Sequence, residues 1–73
     1  MDIKARIVDN IVILDVSGQV DANSANFVEI VGQCIRDGYQ DILCNMEEVE
    51  FIDYLGISAI VLAYKELVNA KGR

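Results

Sequence analysis

Apolar and polar residues alternate at the start of the chain, with Ile3, Ala5 and Ile7 set against Lys4 and Arg6. That period of two predicts a strand over residues 3–8. Asp9-Asn10 follows as a two-residue turn signal, and Ile11-Val12-Ile13-Leu14-Asp15-Val16 reads as a second strand. So short a link predicts an antiparallel hairpin. The second strand is more continuously apolar, as a strand covered on both faces would be. Ser17-Gly18-Gln19-Val20 breaks the pattern.

Asp21-Ala22-Asn23-Ser24 gathers N-cap residues just before a helical period. Val28, Val31 and Ile35 recur at i, i+3 and i+7 with Phe27, Ile30 and Cys34 beside them, and the helix is expected to end near Asp37-Gly38. Asp41-Ile42-Leu43-Cys44-Asn45-Met46 reads as a short buried strand. Strand, helix, strand implies a right-handed crossover, so the second and third strands should run parallel. Glu47-Glu48-Val49-Glu50 is read as an acidic loop, after which Phe51 and Ile52 return to the core. Asp53 is a natural N-cap for a last helix over about residues 54–70, with Ile57, Ile60, Val61, Tyr64 and Val68 as its core stripe. The fold class is α/β: a mixed sheet, a β-hairpin whose second strand opens a β-α-β-α order, with the helices packed on it.

Size and composition sharpen this picture. The 73 residues make one small domain, a size at which folding buries only about 60% of the chain's surface. The hydrophobic fraction is 53%, and there is no Pro, His or Trp. Such a chain packs well and has apolar surface left over. The net charge is −6, from 12 acids and 6 bases, whereas nucleic-acid binders need basic stripes. Between residues 37 and 64 stand Asp37, Asp41, Glu47, Glu48, Glu50 and Asp53, with no Lys or Arg. This run is either a solvated rim or a surface that steers a basic partner. No signal peptide or membrane-spanning run is read, so Cys34 and Cys44, not spaced as a Cys-x-x-Cys pair, are expected as buried thiols of a reducing cytoplasm. The carboxylate pairs Glu47 with Glu48 and Glu50 with Asp53 have no His, no metal-ligand spacing and no nucleophile–base pair beside them, so no enzyme, cofactor or metal is expected.

Two stretches then carry a family resemblance. Gly18-Gln19-Val20-Asp21 followed by Ser24-Ala25 is similar to a Gly-x-Leu-Asp entry into a first helix. Phe51-Ile52-Asp53-Tyr54-Leu55-Gly56-Ile57, then Tyr64-Lys65, is similar to a Phe-hydrophobic-Asp-Ser-Ser/Thr-Gly-Leu helix start. Together they resemble the STAS (sulfate transporter and anti-sigma factor antagonist) family over nearly the whole chain. The resemblance implies a cytoplasmic bacterial regulator that binds a partner protein, such as an anti-sigma factor kinase. In its best-known members, the first residue after the motif Asp is a phosphorylated Ser, and phosphate breaks the complex. A hydroxyl in the first helical turn lies at the positive end of the macrodipole, but the added charge of about −2 opposes an acidic or apolar interface.

Tyr54 holds that phosphoacceptor-equivalent position here and Leu55 the next hydroxyl position. A serine kinase therefore has no substrate there. Ser58 is read as a helix hydroxyl bonding back to a carbonyl. Leu55, Ala59 and Leu62 form a stripe offset from the core set, which is either more core or an apolar contact surface. Asp21, Asn23, Asp53, Tyr54, Leu55, Gly56, Ser58 and Leu62 are the candidate partner-binding residues. The alternatives are a cytoplasmic subunit or scaffold of a membrane transport or stress-signalling complex, and a nucleotide or lipid binder that has no Gly-rich phosphate loop. Family members run on for a further strand and helix, whereas Ala70-Lys71-Gly72-Arg73 ends this chain. A minimal domain, a shortened one and a product of cleavage after Arg73 stay open. Each leaves residues 41–46 as an unpaired apolar edge, so a homodimer or higher oligomer is expected.

Overall fold

The computed structural model describes residues 1–21 and 25–72, with the backbone alone at Ala25. Among these residues the order is β1 (Asp2–Val8), β2 (Ile11–Val20), α1 (Ala25–Arg36), β3 (Asp41–Ile52) and α2 (Tyr54–Asn69). The hairpin closes on Asp9 and Asn10 at φ 50° and 67°, the two positive values that a twist-matched two-residue turn requires and that Asp and Asn tolerate. β2 pairs antiparallel with β1 and parallel with β3, in the spatial order β1-β2-β3. The crossover helix α1 ends in a Schellman motif. Gly38 takes φ 94°, its N–H donates to the Ile35 carbonyl, and the Tyr39 N–H donates to the Cys34 carbonyl, both at 3.0 Å.

The core lies on one face of the sheet. Val12, Leu14 and Val16 alternate into it from β2 and meet Val20, Phe27, Val31 and Ala63, with Ile42, Cys44 and Met46 of β3 packed alongside. The other face stays open among the described residues. There Ile11 and Leu43 are exposed, and Arg6 Nε and Nη2 donate to Asp15 at 2.7 and 3.2 Å, while Asn45 Nδ2 donates to the same carboxylate at 2.9 Å. The expectation that β2 is covered on both faces is thus corrected. Its outward residues are a cross-strand polar ladder and a few aliphatic side chains.

Further expectations change. Residues 17–20 continue β2, and the presumed acidic loop of Glu47, Glu48, Val49 and Glu50 belongs to β3. Register shifts between Asp15 and Ser17 and between Gly18 and Gln19 absorb the mismatch between the two strands. Phe51 and Ile52 do not return to the core; they are exposed. On α2 the buried side is Gly56, Ala63 and Leu67 with Ile60 beside them, while Ile57, Val61, Tyr64 and Val68 are exposed. The reason is where the helix rests. α2 leans chiefly on α1 and touches the sheet little, so the side of it that would cover a strand beyond β3 meets no described element. Cys34 and Cys44 are free and half-buried rather than buried, and burial pushes both thiols up.

One contact sets the position of α2. A Cβ at Gly56 would overlap the Val20 carbonyl, so the first turn of the helix rests on the backbone at the end of β2. Glycine inside a helix ordinarily costs about 0.5–1 kcal/mol relative to alanine. Here Gly56→Ala should reverse that sign and lose about 1–3 kcal/mol, the usual cost of overpacking; urea unfolding that showed a gain would refute this seat. The Asp15 ladder predicts a pH effect. The Arg6 and Asn45 hydrogen bonds hold the Asp15 carboxyl below its ordinary value, so its contribution is complete above that value and fades as pH falls through the lowered one. Below about pH 4, the urea midpoint of the wild type should fall more steeply than that of Asp15→Asn; parallel curves would contradict the lowering.

Candidate functional site

The carboxyl ends of the parallel strands β2 and β3 lie side by side, with Val20 paired to Ile52. Both helices begin at this end, the arrangement that places binding residues outside the strand termini in open α/β sheets. The Asp53 N–H donates to the Val20 carbonyl at 3.1 Å, and the Asp53 side chain accepts from the Gly56 N–H at 2.9 Å. Asp53 is therefore the N-cap of α2 with extended backbone, φ −101° and ψ 179°. It is half-buried, and its carboxylate satisfies one of the free amides of the helix start.

This cap turns the next residues outward. Tyr54 is 76% exposed, and Leu55 is exposed beside it. Ser58 and Leu62 are exposed on the following turns. Tyr54, Ser58, Leu62 and Leu55 share an arc of the helix on the side away from Gly56, by its period of about 3.6 residues per turn. The Ser58 hydroxyl donates to the Tyr54 carbonyl at 2.9 Å, the back-bond expected of a serine within a helix. Asp21 is half-buried directly after Val20, so the backbone bond between Val20 and Asp53 brings the two motif aspartates to the same corner. Asn23 lies outside the described residues. Gly56 is buried and presents no surface; its role in the site is to let the helix approach.

Two neighbours of this arc were assigned to the core by pattern alone. Phe51, 54% exposed, and Ile52 flank the cap, adding an aromatic ring and an aliphatic side chain to the apolar rim around Tyr54. The signal was present in the sequence, since Glu48, Val49, Glu50 and Phe51 alternate with period two and so announce a strand rather than a loop. The arrangement is suited to contact with another polypeptide: an exposed aromatic ring and aliphatic side chains on a rigid, capped helix start. Among the described residues, no group of three or more His, Cys, Asp or Glu side chains could hold a metal ion, and no helix is long and apolar enough to cross a membrane.

Comparison with known proteins follows this geometry. No curated protein matches the sequence. Among solved structures, the anti-sigma factor antagonist SpoIIAA in its unphosphorylated form is similar at TM-score 0.76, and the Bacillus cell fate determinant SpoIIAA in its phosphorylated form at 0.77. Each is 21% identical to this chain, and each match covers 99% of this chain and 68% of the other. The shared fold is the mixed sheet with its two helices. The family model of the STAS domain matches residues 2–73, and the chain belongs to the STAS domain family.

Proposed function

We propose that this chain is a protein-interaction domain of the anti-sigma factor antagonist type, which docks a partner protein on the amino end of α2 and is not switched by serine phosphorylation. The observation that carries this reading is the exposed first turn of α2, where Tyr54 stands clear of the surface on a helix pinned by the Asp53 cap. Similar structures are described as the unphosphorylated and phosphorylated forms of SpoIIAA. Here the acceptor-equivalent residue is a tyrosine and the next is a leucine. The remaining hydroxyl of the two exposed turns, on Ser58, donates to the helix backbone. Apolar contact through Tyr54, Leu55 and Leu62, with Asp21 at its border, replaces a charge-gated one. The partner class is an anti-sigma factor kinase-like protein or another component of such a pathway in a bacterial cytoplasm, and the chain regulates by binding rather than by catalysis.

Two measurements test this. In chemical crosslinking within lysate, proteins joined to the wild type should be lost, by about tenfold or more, from Leu55→Ser/Leu62→Ser, since interface anchors cost at least ~1 kcal/mol each when truncated. The far-edge control Ile7→Ser should retain them. An identical set for all three chains, with unchanged circular dichroism, would remove α2 from the interface. Incubated with ATP and an anti-sigma factor kinase, the wild type should show no phosphate on Ser58 by mass spectrometry; phosphate there would restore a serine switch.

A further inference from the structure

The face of the sheet turned away from the helices is a second surface with its own order. Val12, Leu14 and Val16 point into the core, so Ile11, Ile13, Asp15 and Ser17 between them point the other way. Register then fixes which side chains stand beside these four. Val8 and Asp41 flank Ile11, and Arg6 and Leu43 flank Ile13. Lys4 and Asn45 flank Asp15, and Asp2 and Glu48 flank Ser17. A right-handed crossover from β2 to β3 puts α1 on the core face, and α2 packs beside α1. The handedness of the fold thus leaves the opposite face bare.

Two properties of this face choose its occupant. Toward the hairpin turn it is apolar: Val8, Ile11 and Leu43 are 46%, 38% and 55% exposed, and Ile13 is half-buried between them. Its charges, in turn, are sorted by strand. The bases Lys4 and Arg6 stand within β1, which has Asp2 at its start, while Asp41 and Glu48 stand on β3. Asp15 on the middle strand is answered in place by Arg6 Nε at 2.7 Å. A chain of net charge −6 repels its own copies wherever acids meet acids. A face with bases on one margin and acids on the other is instead complementary to itself. A two-fold axis parallel to the strands lays β2 over β2 and β1 over β3. Ile11 and Ile13 then meet their counterparts, and the margin with Lys4 and Arg6 meets the margin with Asp41 and Glu48 twice. We propose that this chain forms a homodimer through the open sheet face, the two sheets packed about 10 Å apart.

The contact is smaller than the ~800 Å² per partner of a standard interface, so the association is weak and concentration brings it out. Sedimentation equilibrium of the full chain, from about 10 µM to 1 mM, should show monomer passing to dimer. Ile11→Ser/Leu43→Ser should weaken the dimer about tenfold or more, and Leu55→Ser/Leu62→Ser, at the helix start, should leave it unchanged. Charge reversal tests the pairing of margins. Lys4→Glu and Glu48→Lys should each weaken dimerisation several-fold with unchanged circular dichroism. An equimolar mixture of the two should recover it, because each copy then offers the charge that the other lacks. A chain that stays monomeric up to ~1 mM would overturn the proposal. So would a dimer indifferent to Ile11→Ser/Leu43→Ser, or a mixture that associates no better than either variant alone.

Discussion

The carbonyl of Val20 is the point on which this small structure turns. It accepts the Asp53 N–H, and it occupies the space in which any side chain at position 56 would begin. Val20 itself is almost wholly buried. The end of β2, the end of β3 and the start of α2 are therefore held together through backbone contact rather than through interdigitated side chains. With the Asp53 carboxylate turned to the Gly56 amide and Gly56 pressed onto the strand, the first turn has its inner side filled. Tyr54 and Leu55 can only face outward. Their exposure follows from the packing beneath them, and a docking point of the proposed kind would meet its partner already formed, which lowers the ordering cost of binding.

The same seat leaves the rest of α2 with more apolar surface than the domain can cover. Small residues on its inner side, Gly56 and Ala63, bring it close to its neighbours, and Leu67 completes that contact. Its flank over β3 has nothing of comparable size to meet among the described residues. Three exposed glutamates lie on the adjoining strand, charges of the kind that discourage edge-to-edge pairing in native sheets.

Much of this was legible in the sequence. The hairpin, the parallel crossover, the Gly38 stop and the Asp53 cap each have a local cause: a turn dipeptide, a β-α-β order, a residue that tolerates positive φ, a carboxylate ahead of an apolar period. What pattern alone misplaced depended on neighbours. Ile57, Val61, Tyr64 and Val68 have the spacing of a core stripe, and whether such a stripe is buried depends on whether a strand lies below it. Phe51 and Ile52 look like core residues by composition, yet they are exposed at the last paired positions of β3, opposite Gln19 and Val20. The buried side of α2 was missed because two of its members are glycine and alanine, whose role is close approach rather than hydrophobic mass.

The start of α2 and the strand β3 differ in the physics that governs them. At the start of α2, the positive end of the helix dipole is already answered by the Asp53 carboxylate, and the residues offered are an aromatic ring and aliphatic side chains. A contact made there draws on buried apolar area, which salt screens little. Along β3 three exposed carboxylates stand in water, where screening acts within about 10 Å at 0.1 M salt. A phosphate at the first surface would have joined the two regimes, making an apolar contact answer to charge. With a tyrosine and a leucine at positions 54 and 55, the proposed contact at the helix start is left to shape and hydrophobic burial.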